Sequence, residues 1–264
     1  MKYIKPIKIG AGKPIIAIIG CVHGEEPVGK KVIEALKSMD IIKGAMLLVV
    51  ANEAALRKRT RFLDQDLNKS FPGKKNGNRE EKIAYELKSL LRTVDFVISL
   101  HSTSTNTKDL VIIKKDTSGV KKMIKAINPL RVVHFPKGFG DGALENHHKA
   151  ALTFEYGYHY APATYNKSLR DIKKVLVSLG MIKGISKSKA KNKTSFFSIY
   201  GSVDKPKGFK MKNIRNFSLI KKGDTLGWVK KEKLVATENF YPVLFGPKAY
   251  PDIMGFKSKR SSNR

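Results

Sequence analysis

The stretch that decides the fold is Pro14-Ile-Ile-Ala-Ile-Ile-Gly-Cys-Val-His-Gly-Glu-Glu-Pro27. Its first half is a short, continuously apolar run bounded by Pro14 and Gly20, which predicts a buried strand. Its second half is polar and leads into an amphipathic stretch over residues 28–39, which predicts a helix. A buried strand followed by a polar loop and a helix is the unit of an α/β fold, and ligands bind at the carboxyl ends of such strands.

The same alternation of strands and helices continues through residue 182. Apolar runs predict strands at 44–50, 95–100, 110–113, 131–135 and 150–154, and helical periodicity predicts helices at 78–91, 118–128 and 165–181. Residues 1–182 are therefore predicted to form an α/β domain with a mostly parallel mixed sheet flanked by helices. A basic linker is predicted at 183–194. After it, short apolar runs at 195–200, 217–220, 225–229, 234–237 and 243–245 predict a small C-terminal β domain over residues 195–264.

The chain carries a large excess of positive charge. Its 264 residues include 52 Lys and Arg against 22 Asp and Glu, a formal net charge of +30. Half of this excess lies in residues 183–264, which hold 20 basic and 5 acidic residues. Such a charge is typical of proteins that bind nucleic acid or an anionic surface. Most of the lysines are nevertheless scattered singly, without zinc-finger spacing or an RNA-recognition aromatic signature, which favours a solvated surface.

Composition also limits the class of protein. A hydrophobic content of 41% is that of a globular chain and is too high for a disordered polycation. Cys21 is the only cysteine, which excludes an intramolecular disulfide and suits a reducing compartment. No apolar run approaches the ~20 residues that span a bilayer. Because no signal peptide is recognised, we predict a cytoplasmic location.

Three residues with metal-binding side chains stand at the carboxyl ends of predicted strands. His23 and Glu26 lie three residues apart in the loop after the first strand, and His101 directly follows the strand at 95–100. A histidine at a strand end is often only structural, but two such sites at neighbouring strand ends favour a shared metal. Two His and one Glu leave one position of a tetrahedral zinc open to water, as a hydrolytic zinc requires.

Other segments add candidates for catalysis and substrate binding. Glu155 ends a predicted strand, and a carboxylate beside a metal-activated water can take its proton and deliver it to a leaving amine. The basic segment 57–69 holds Arg61, which can stabilise an oxyanion. It also holds Asn68 and Lys69, which can bind a substrate carboxylate. Taken alone, this basic segment would suit contact with nucleic acid, but its interleaved Asp64, Asp66 and Asn68 favour a specific polar site.

Five segments, in this order, resemble the succinylglutamate desuccinylase/aspartoacylase family of the zinc metallocarboxypeptidase superfamily. They are G-C-V-H-G-E-E at 20–26, R-x-x-x-x-D-L-N-K-S-F-P-G at 61–73, L-H-S at 100–102, F-E-Y-G at 154–157 and Y-P-V-L-F-G-P-K-A-Y at 241–250. The resemblance covers most of the chain and implies a zinc carboxypeptidase-like fold. It implies one zinc ion per chain, bound by His23, Glu26 and His101. It also implies that Glu155 serves as general base and acid.

The resemblance further implies how a substrate would be held. Arg61 would contact its carbonyl or carboxylate, and Asn68 with Lys69 would contact its α-carboxylate. Tyr250 would reach back from the predicted β domain over the active site, so that this domain contributes to the cleft. The sequence around Tyr250, without the resemblance, predicts only a packing aromatic.

Three positions depart from the family pattern. Lys69 replaces an Arg, so it keeps the charge but loses the planar fork that binds a carboxylate through two hydrogen bonds. Ser99 replaces an Asp two residues before the second His, so Ser99 or a backbone carbonyl is expected to orient His101. Glu145 stands ten residues before Glu155, where aspartoacylases carry an Arg for the aspartate side chain. This last departure disfavours aspartoacylase specificity.

The remaining histidines and the cysteine carry weaker signals. His147, His148 and His159 are expected to be solvated loop residues, and His134 is expected to be structural. Cys21 is expected to be a small buried residue rather than a nucleophile.

The sequence and the resemblance together predict a zinc-dependent hydrolase that cleaves the amide bond of an N-acyl amino acid, a small anionic substrate. Two alternatives stay open. The first is a carboxypeptidase-type or ester-cleaving enzyme with the same metal site. The second is a basic protein that binds nucleic acid or an anionic surface on the same scaffold.

Overall fold

The computed structural model describes residues 2–103, 108–184, 193–247 and 250–261. The described residues form thirteen strands: Ile7–Ala11 (β1), Ile15–Gly20 (β2), Gly44–Val50 (β3), Phe96–Thr103 (β4), Leu110–Ile113 (β5), Arg131–His134 (β6), Ala151–Tyr158 (β7), Ser195–Asp204 (β8), Phe209–Met211 (β9), Thr225–Val229 (β10), Glu232–Val235 (β11), Tyr241–Val243 (β12) and Ile253–Ser261 (β13). They also form five α-helices: Val28–Leu36 (α1), Glu53–Lys58 (α2), Arg79–Leu91 (α3), Ser118–Ile127 (α4) and Pro162–Ser178 (α5). Two short 3₁₀ turns lie at Leu67–Lys69 and Leu144–His147.

Ten of these strands form one sheet in the order β1-β3-β2-β4-β7-β5-β6-β8-β13-β12. At its centre β3, β2, β4 and β7 run parallel, whereas β5 is antiparallel to β7 and parallel to β6. Parallel neighbours require crossover connections, which put helices on the faces of the sheet and bury the strands on both sides. This burial explains the continuous apolar sequence of β2, in which residues 16–19 have no exposed surface.

Helices cover both faces of the large sheet. On one face α1, α4 and α5 pack against the strands through side chains that include Ile33, Met123 and Leu176. On the other face α3 packs through Ile83 and Leu87. The predicted α/β architecture, with a mostly parallel sheet between helices, is therefore confirmed. No helix in the described part of the chain is both long enough and apolar enough to cross a membrane.

Local sequence predicts several elements closely. The bounds of β3 and β5 agree with the prediction residue for residue. Helix α3 begins at the predicted cap, where Asn78 and Glu81 each accept a hydrogen bond from the other's backbone N–H at 2.9 Å. Both β4 and β7 run further than predicted, so His101 and Glu155 lie within strands rather than at or after their ends. Strand β1 and helix α2 were not predicted.

The residues after 195 do not all form a separate β unit. Strands β8, β13 and β12 continue the large sheet, because β8 pairs in parallel with β6 and antiparallel with β13. The small antiparallel sheet expected in this region consists of β9, β10 and β11. The run at 217–220 contributes a single bridge, from Ile220 to Phe240, rather than a strand. Residues 185–192 of the predicted linker lie outside the described residues, and the division of the chain there remains a prediction.

Candidate active site

Neighbouring parallel strands bring the predicted site residues to one end of the sheet. In the observed register the end of β2 lies beside β4, and His101 of β4 is paired with Glu155 of β7. Paired strands lie about 4.8 Å apart, so these two side chains are neighbours on one face of the sheet. His23 and Glu26 come from the loop that follows β2.

The side chains of His23, Glu26 and His101 form one buried cluster. Nδ1 of His23 lies 2.7 Å from Oε1 of Glu26, and Nδ1 of His101 lies 3.1 Å from Oε2 of the same carboxylate. The three residues are at most 4% exposed, and their ligand atoms lie within 4.8 Å of one another. Two imidazole nitrogens and a carboxylate oxygen at this spacing suit zinc, so the residues present fit the predicted ion.

The charges in this cluster stabilise one another. Burial alone would lower the pKa of His23, but the charge of Glu26 and hydrogen bonds with Asp66 and Glu26 outweigh it and raise the pKa to about 9. Burial also opposes ionisation of Glu26, yet the charges of His101 and His23 hold the pKa of that carboxyl well below its usual range. Histidine binds a metal only through an unprotonated nitrogen. A divalent cation would therefore take the place of the protons on these rings.

The loop between β2 and α1 is fixed by close backbone contacts. The Gly24 N–H donates to the Arg61 carbonyl at 3.1 Å, and the Glu26 N–H donates to the His23 carbonyl at 3.2 Å. A Cβ atom at Gly24 would overlap the backbone of Ala55. The tight turn holds His23 and Glu26, the two predicted ligands in the loop, in the orientation seen in the cluster.

Gly24→Ala is expected to displace this loop and weaken zinc binding by about tenfold or more. The added methyl group meets backbone atoms of α2, which cannot move aside as a flexible side chain could. Calorimetric titration with zinc measures the affinity, and thermal unfolding measures the accompanying loss of stability. An unchanged affinity would show that the loop does not need glycine at this position.

Asp66, to which no role was assigned from sequence, connects two of the predicted site residues. Its Oδ1 lies 3.1 Å from Nε2 of His23, and its Oδ2 accepts a hydrogen bond from Nε of Arg61 at 3.1 Å. Burial opposes the charge of Asp66, but the hydrogen bond with His23 outweighs it and keeps the pKa of the carboxyl well below its usual range. A carboxylate on the second nitrogen of a ligand histidine fixes the ring and raises its basicity. The signal available in the sequence was the pair of acidic residues, Asp64 and Asp66, within a strongly basic segment.

Asp66→Asn is expected to weaken zinc binding by about 10- to 100-fold, because the amide orients His23 less firmly and adds no negative charge. Asp64→Asn is the matched control, since the exposed Asp64 carboxylate accepts a hydrogen bond from the Arg79 N–H at 2.9 Å and lies outside the cluster. Zinc titration of the two variants compares the same change of charge at two nearby positions. Equal affinities would contradict the role of Asp66.

Ser99 does not orient His101, contrary to the expectation. Ser99 is fully buried, and in the part of the chain that the structure describes neither its Oγ nor Nε2 of His101 has a hydrogen-bond partner. The two residues are two positions apart on one face of β4, a separation of about 7 Å that a serine hydroxyl cannot span. His101 is held instead through Nδ1, by Glu26.

Glu155 lies beside the cluster and is partly exposed. Burial raises the pKa of its carboxyl to about 8; the charge of His101 opposes this increase and the charge of Glu26 adds to it. A carboxyl with a pKa near neutrality can both accept and return a proton, which suits a general base that also acts as an acid.

Arg61 and Tyr250 approach Glu155 from different parts of the chain. Arg61 donates through Nη1 to Glu25 at 3.2 Å and keeps 40% of its side chain exposed. Tyr250 precedes β13, and its ring contacts Phe256 with 5.4 Å between centroids. Burial and the charge of Glu155 raise the pKa of the Tyr250 hydroxyl, so this tyrosine lies within electrostatic reach of the cluster.

Asn68 and Lys69 lie on the 3₁₀ turn that directly follows Asp66. Oδ1 of Asn68 is buried and has no hydrogen-bond partner among the described residues, an arrangement that a ligand's donor group would satisfy. Lys69 is exposed. The backbone of Gly142 packs closely on it, so that a Cβ at Gly142 would lie 2.8 Å from Cα of Lys69.

Two of the histidines with weaker signals are more buried than expected. His148 and His159 are at most 9% exposed; they contact the Val94 carbonyl at 3.1 Å and the Ser102 hydroxyl at 2.9 Å. They are therefore packed within the structure rather than solvated. Cys21 is fully buried and burial raises its pKa to about 12, which agrees with an inert thiol.

Solved structures share this fold over nearly their whole length. Murine aminoacylase 3 has a TM-score of 0.78 and 19% identity, over 95% of this chain and 97% of that chain. A succinylglutamate desuccinylase/aspartoacylase from Rhodobacter sphaeroides has a TM-score of 0.75 and 17% identity, over 95% and 86% of the two chains. The product-bound ectoine utilization protein EutE (DoeB) from Ruegeria pomeroyi has a TM-score of 0.73 and 22% identity, over 97% and 87%.

Sequence comparison gives the family. A search of curated proteins finds no match to this chain. The family model described as "Succinylglutamate desuccinylase/Aspartoacylase catalytic domain" matches residues 13–178. That range contains every predicted site residue except Tyr250. The chain belongs to the succinylglutamate desuccinylase/aspartoacylase family.

Proposed function

We propose that this chain is a zinc-dependent hydrolase that cleaves the amide bond of an N-acyl amino acid. The observation that carries the proposal is the buried cluster of His23, Glu26 and His101, with Glu155 on the adjacent strand. Membership of the family supports a reaction on acylated amino acids. The names of the similar structures, an aminoacylase and a desuccinylase/aspartoacylase, are consistent with it.

Glu155 has the central part in the proposed mechanism. Zinc held by His23, Glu26 and His101 would supply a water of lowered pKa and polarise the scissile carbonyl. Glu155 would accept the proton that the water loses and later donate it to the nitrogen of the leaving amino acid. Its raised pKa suits both transfers, because the carboxyl can hold a proton near neutral pH.

The basic segment would bind the substrate. Glu25 and Asp66 hold the guanidinium of Arg61, from where it would donate to the developing oxyanion. Asn68 and Lys69 would hold the α-carboxylate, and Tyr250 would cover the substrate. The net charge of +30 favours the approach of an anionic substrate.

Metal analysis followed by a hydrolysis screen tests the proposal. The purified protein is expected to contain about one zinc per chain and to hydrolyse at least one N-acetyl or N-succinyl amino acid. Short peptides and esters in the same screen separate the carboxypeptidase-type and ester-cleaving alternatives. Hydrolysis of peptides or esters without hydrolysis of any N-acyl amino acid would contradict the proposed substrate class and favour the corresponding alternative. Salt-sensitive binding of nucleic acid by a zinc-loaded protein without any turnover would reject the proposal.

A further inference from the structure

A buried carboxylate next to the proposed active site has no fixed cation. Glu145 lies in the 3₁₀ turn Leu144–His147 and is 4% exposed. One of its oxygens accepts a hydrogen bond from the hydroxyl of Thr153. Among the described residues, no ion pair includes Glu145. Burial of a carboxylate is costly when no cation offsets the loss of its hydration.

Two titratable side chains near Glu145, those of Lys114 and His147, interact electrostatically with its charge, but neither forms an ion pair with it among the described residues. Nζ of Lys114 donates to the Phe139 carbonyl and lies 3.8 Å from Asp141. His147 stacks on a phenylalanine ring, and burial together with nearby lysines lowers its pKa, so the imidazole is neutral near pH 7. In the described structure, therefore, neither side chain makes a direct charged contact with the Glu145 carboxylate.

The Glu145 carboxylate lies close to the proposed catalytic group. Thr153 and Glu155 are two residues apart on β7, so they point to the same face with a separation of about 7 Å. The Glu145 side chain, which is hydrogen-bonded to Thr153, therefore lies beside the residue that precedes Glu155 on the same face of β7. Burial is the main cause of the raised pKa of Glu155, and the charge of Glu145 adds to it.

The turn that holds Glu145 packs against the segment proposed to bind the α-carboxylate of the substrate. The Phe71 N–H donates to the Gly142 carbonyl at 3.2 Å, and the Phe71 ring stacks on His147 with 5.3 Å between centroids. These contacts join the turn of Glu145 to the segment after Leu67–Lys69, which holds the residues proposed to bind the α-carboxylate. A side chain that extends from the same amino acid would meet Glu145.

We infer that Glu145 selects N-acyl amino acids whose side chain ends in an amine, of the ornithine or lysine type. The inference rests on the proposed function. An ammonium group would supply a direct ion-pair partner and form a charge-assisted hydrogen bond with Glu145. The same carboxylate would repel aspartate and glutamate side chains, so it selects both for one class and against the other.

The test compares Nα-acetyl-ornithine, Nα-acetyl-lysine, Nα-acetyl-norleucine and Nα-acetyl-glutamate as substrates of the zinc-loaded protein. Norleucine has the methylene chain of lysine without the ammonium group. The better amine substrate is expected to exceed norleucine in kcat/KM by about tenfold or more, with glutamate lowest. Glu145→Gln keeps the shape and an acceptor for Thr153, and it is expected to abolish this preference. Asp141→Asn, a matched change at an exposed carboxylate nearby, is expected to keep it.

Binding of the free amino acids gives a readout independent of turnover. Ornithine is expected to bind the wild-type protein more tightly than Glu145→Gln, while norleucine binds both equally. An equal kcat/KM for the lysine and norleucine substrates, or an unchanged ratio in Glu145→Gln, would overturn the inference and leave the proposed function intact. Absence of turnover with every N-acyl amino acid would reject the proposed function, and equal binding of ornithine to the two proteins would then reject the inference as well.

Discussion

Glu155→Gln is expected to lower kcat by roughly 10²- to 10⁴-fold while zinc stays bound. Glutamine preserves the size of the side chain on β7, but it can neither accept the proton of the attacking water nor return one to the leaving nitrogen. The proposed ligands lie on β4 and in the loop after β2, so the metal content is expected to remain that of the wild-type protein. Steady-state kinetics with the best N-acyl amino acid and metal analysis measure the two properties separately.

Glu232→Gln is the control for this variant. Glu232 is exposed on β11, in the separate three-stranded sheet, and its replacement is expected to leave kcat and zinc content unchanged. Turnover by Glu155→Gln within tenfold of wild type would contradict the proposed acid–base role. Loss of zinc together with activity would show that Glu155 acts on the metal site instead.

Removal of zinc with a chelator is expected to abolish turnover, and addition of zinc is expected to restore it. His101→Ala is expected to remain inactive after the same addition, because one of three ligands is gone. The pKa of His23 is raised to about 9, so protons compete with the metal below that pH. The apparent affinity for zinc is therefore expected to rise between about pH 6 and about pH 8, with release of protons on binding.

His134→Ala is the control for the ligand variant. The ring of His134 lies 3.3 Å from the Ser198 hydroxyl, between β6 and β8 and outside the cluster, so this variant is expected to regain activity with zinc. Zinc at a thousand times its Kd is also expected to stabilise the wild-type fold by about 4 kcal/mol, measured by thermal unfolding. Full activity of the metal-free protein would contradict the proposal.

The proximity of His23, Glu26 and His101 could be predicted from sequence, because their signals are local and parallel strands place them at one end of the sheet. His23 and Glu26 share one short loop, and an apolar strand pattern precedes His101. The carboxyl ends of adjacent parallel strands meet at one edge of the sheet. Residues 75 or more positions apart can therefore be predicted to lie close together without information on tertiary contacts. Strands β4 and β7 are longer than predicted, but the predicted proximity depends only on which face and which end of the sheet carry these side chains.

Other parts of the structure depend on contacts that no local pattern records. Asp66 and His23 are 43 residues apart, and their contact follows from how the basic segment folds over the loop after β2. Strand β1 lies at the edge of the sheet and is largely exposed, so it lacks a buried apolar run. Strand β13 carries Lys257, Lys259 and Arg260, and these charges mask its strand pattern. Its pairing with β8, which extends the large sheet, joins residues that are far apart in sequence, so no local pattern predicts it.

Asp66 has a consequence for how the two halves of the site depend on each other. One of its oxygens contacts a proposed zinc ligand, and the other contacts Arg61, the proposed donor to the oxyanion. A change in the position or charge of Arg61 therefore alters the carboxylate that tunes His23, and the reverse holds as well. Thermodynamic linkage then requires that a substrate bound at Arg61 changes the affinity for zinc by the same factor by which zinc changes the affinity for that substrate. In the proposed site, occupancy by zinc and occupancy by substrate would therefore be coupled, and the Asp66 carboxylate would contribute to that coupling.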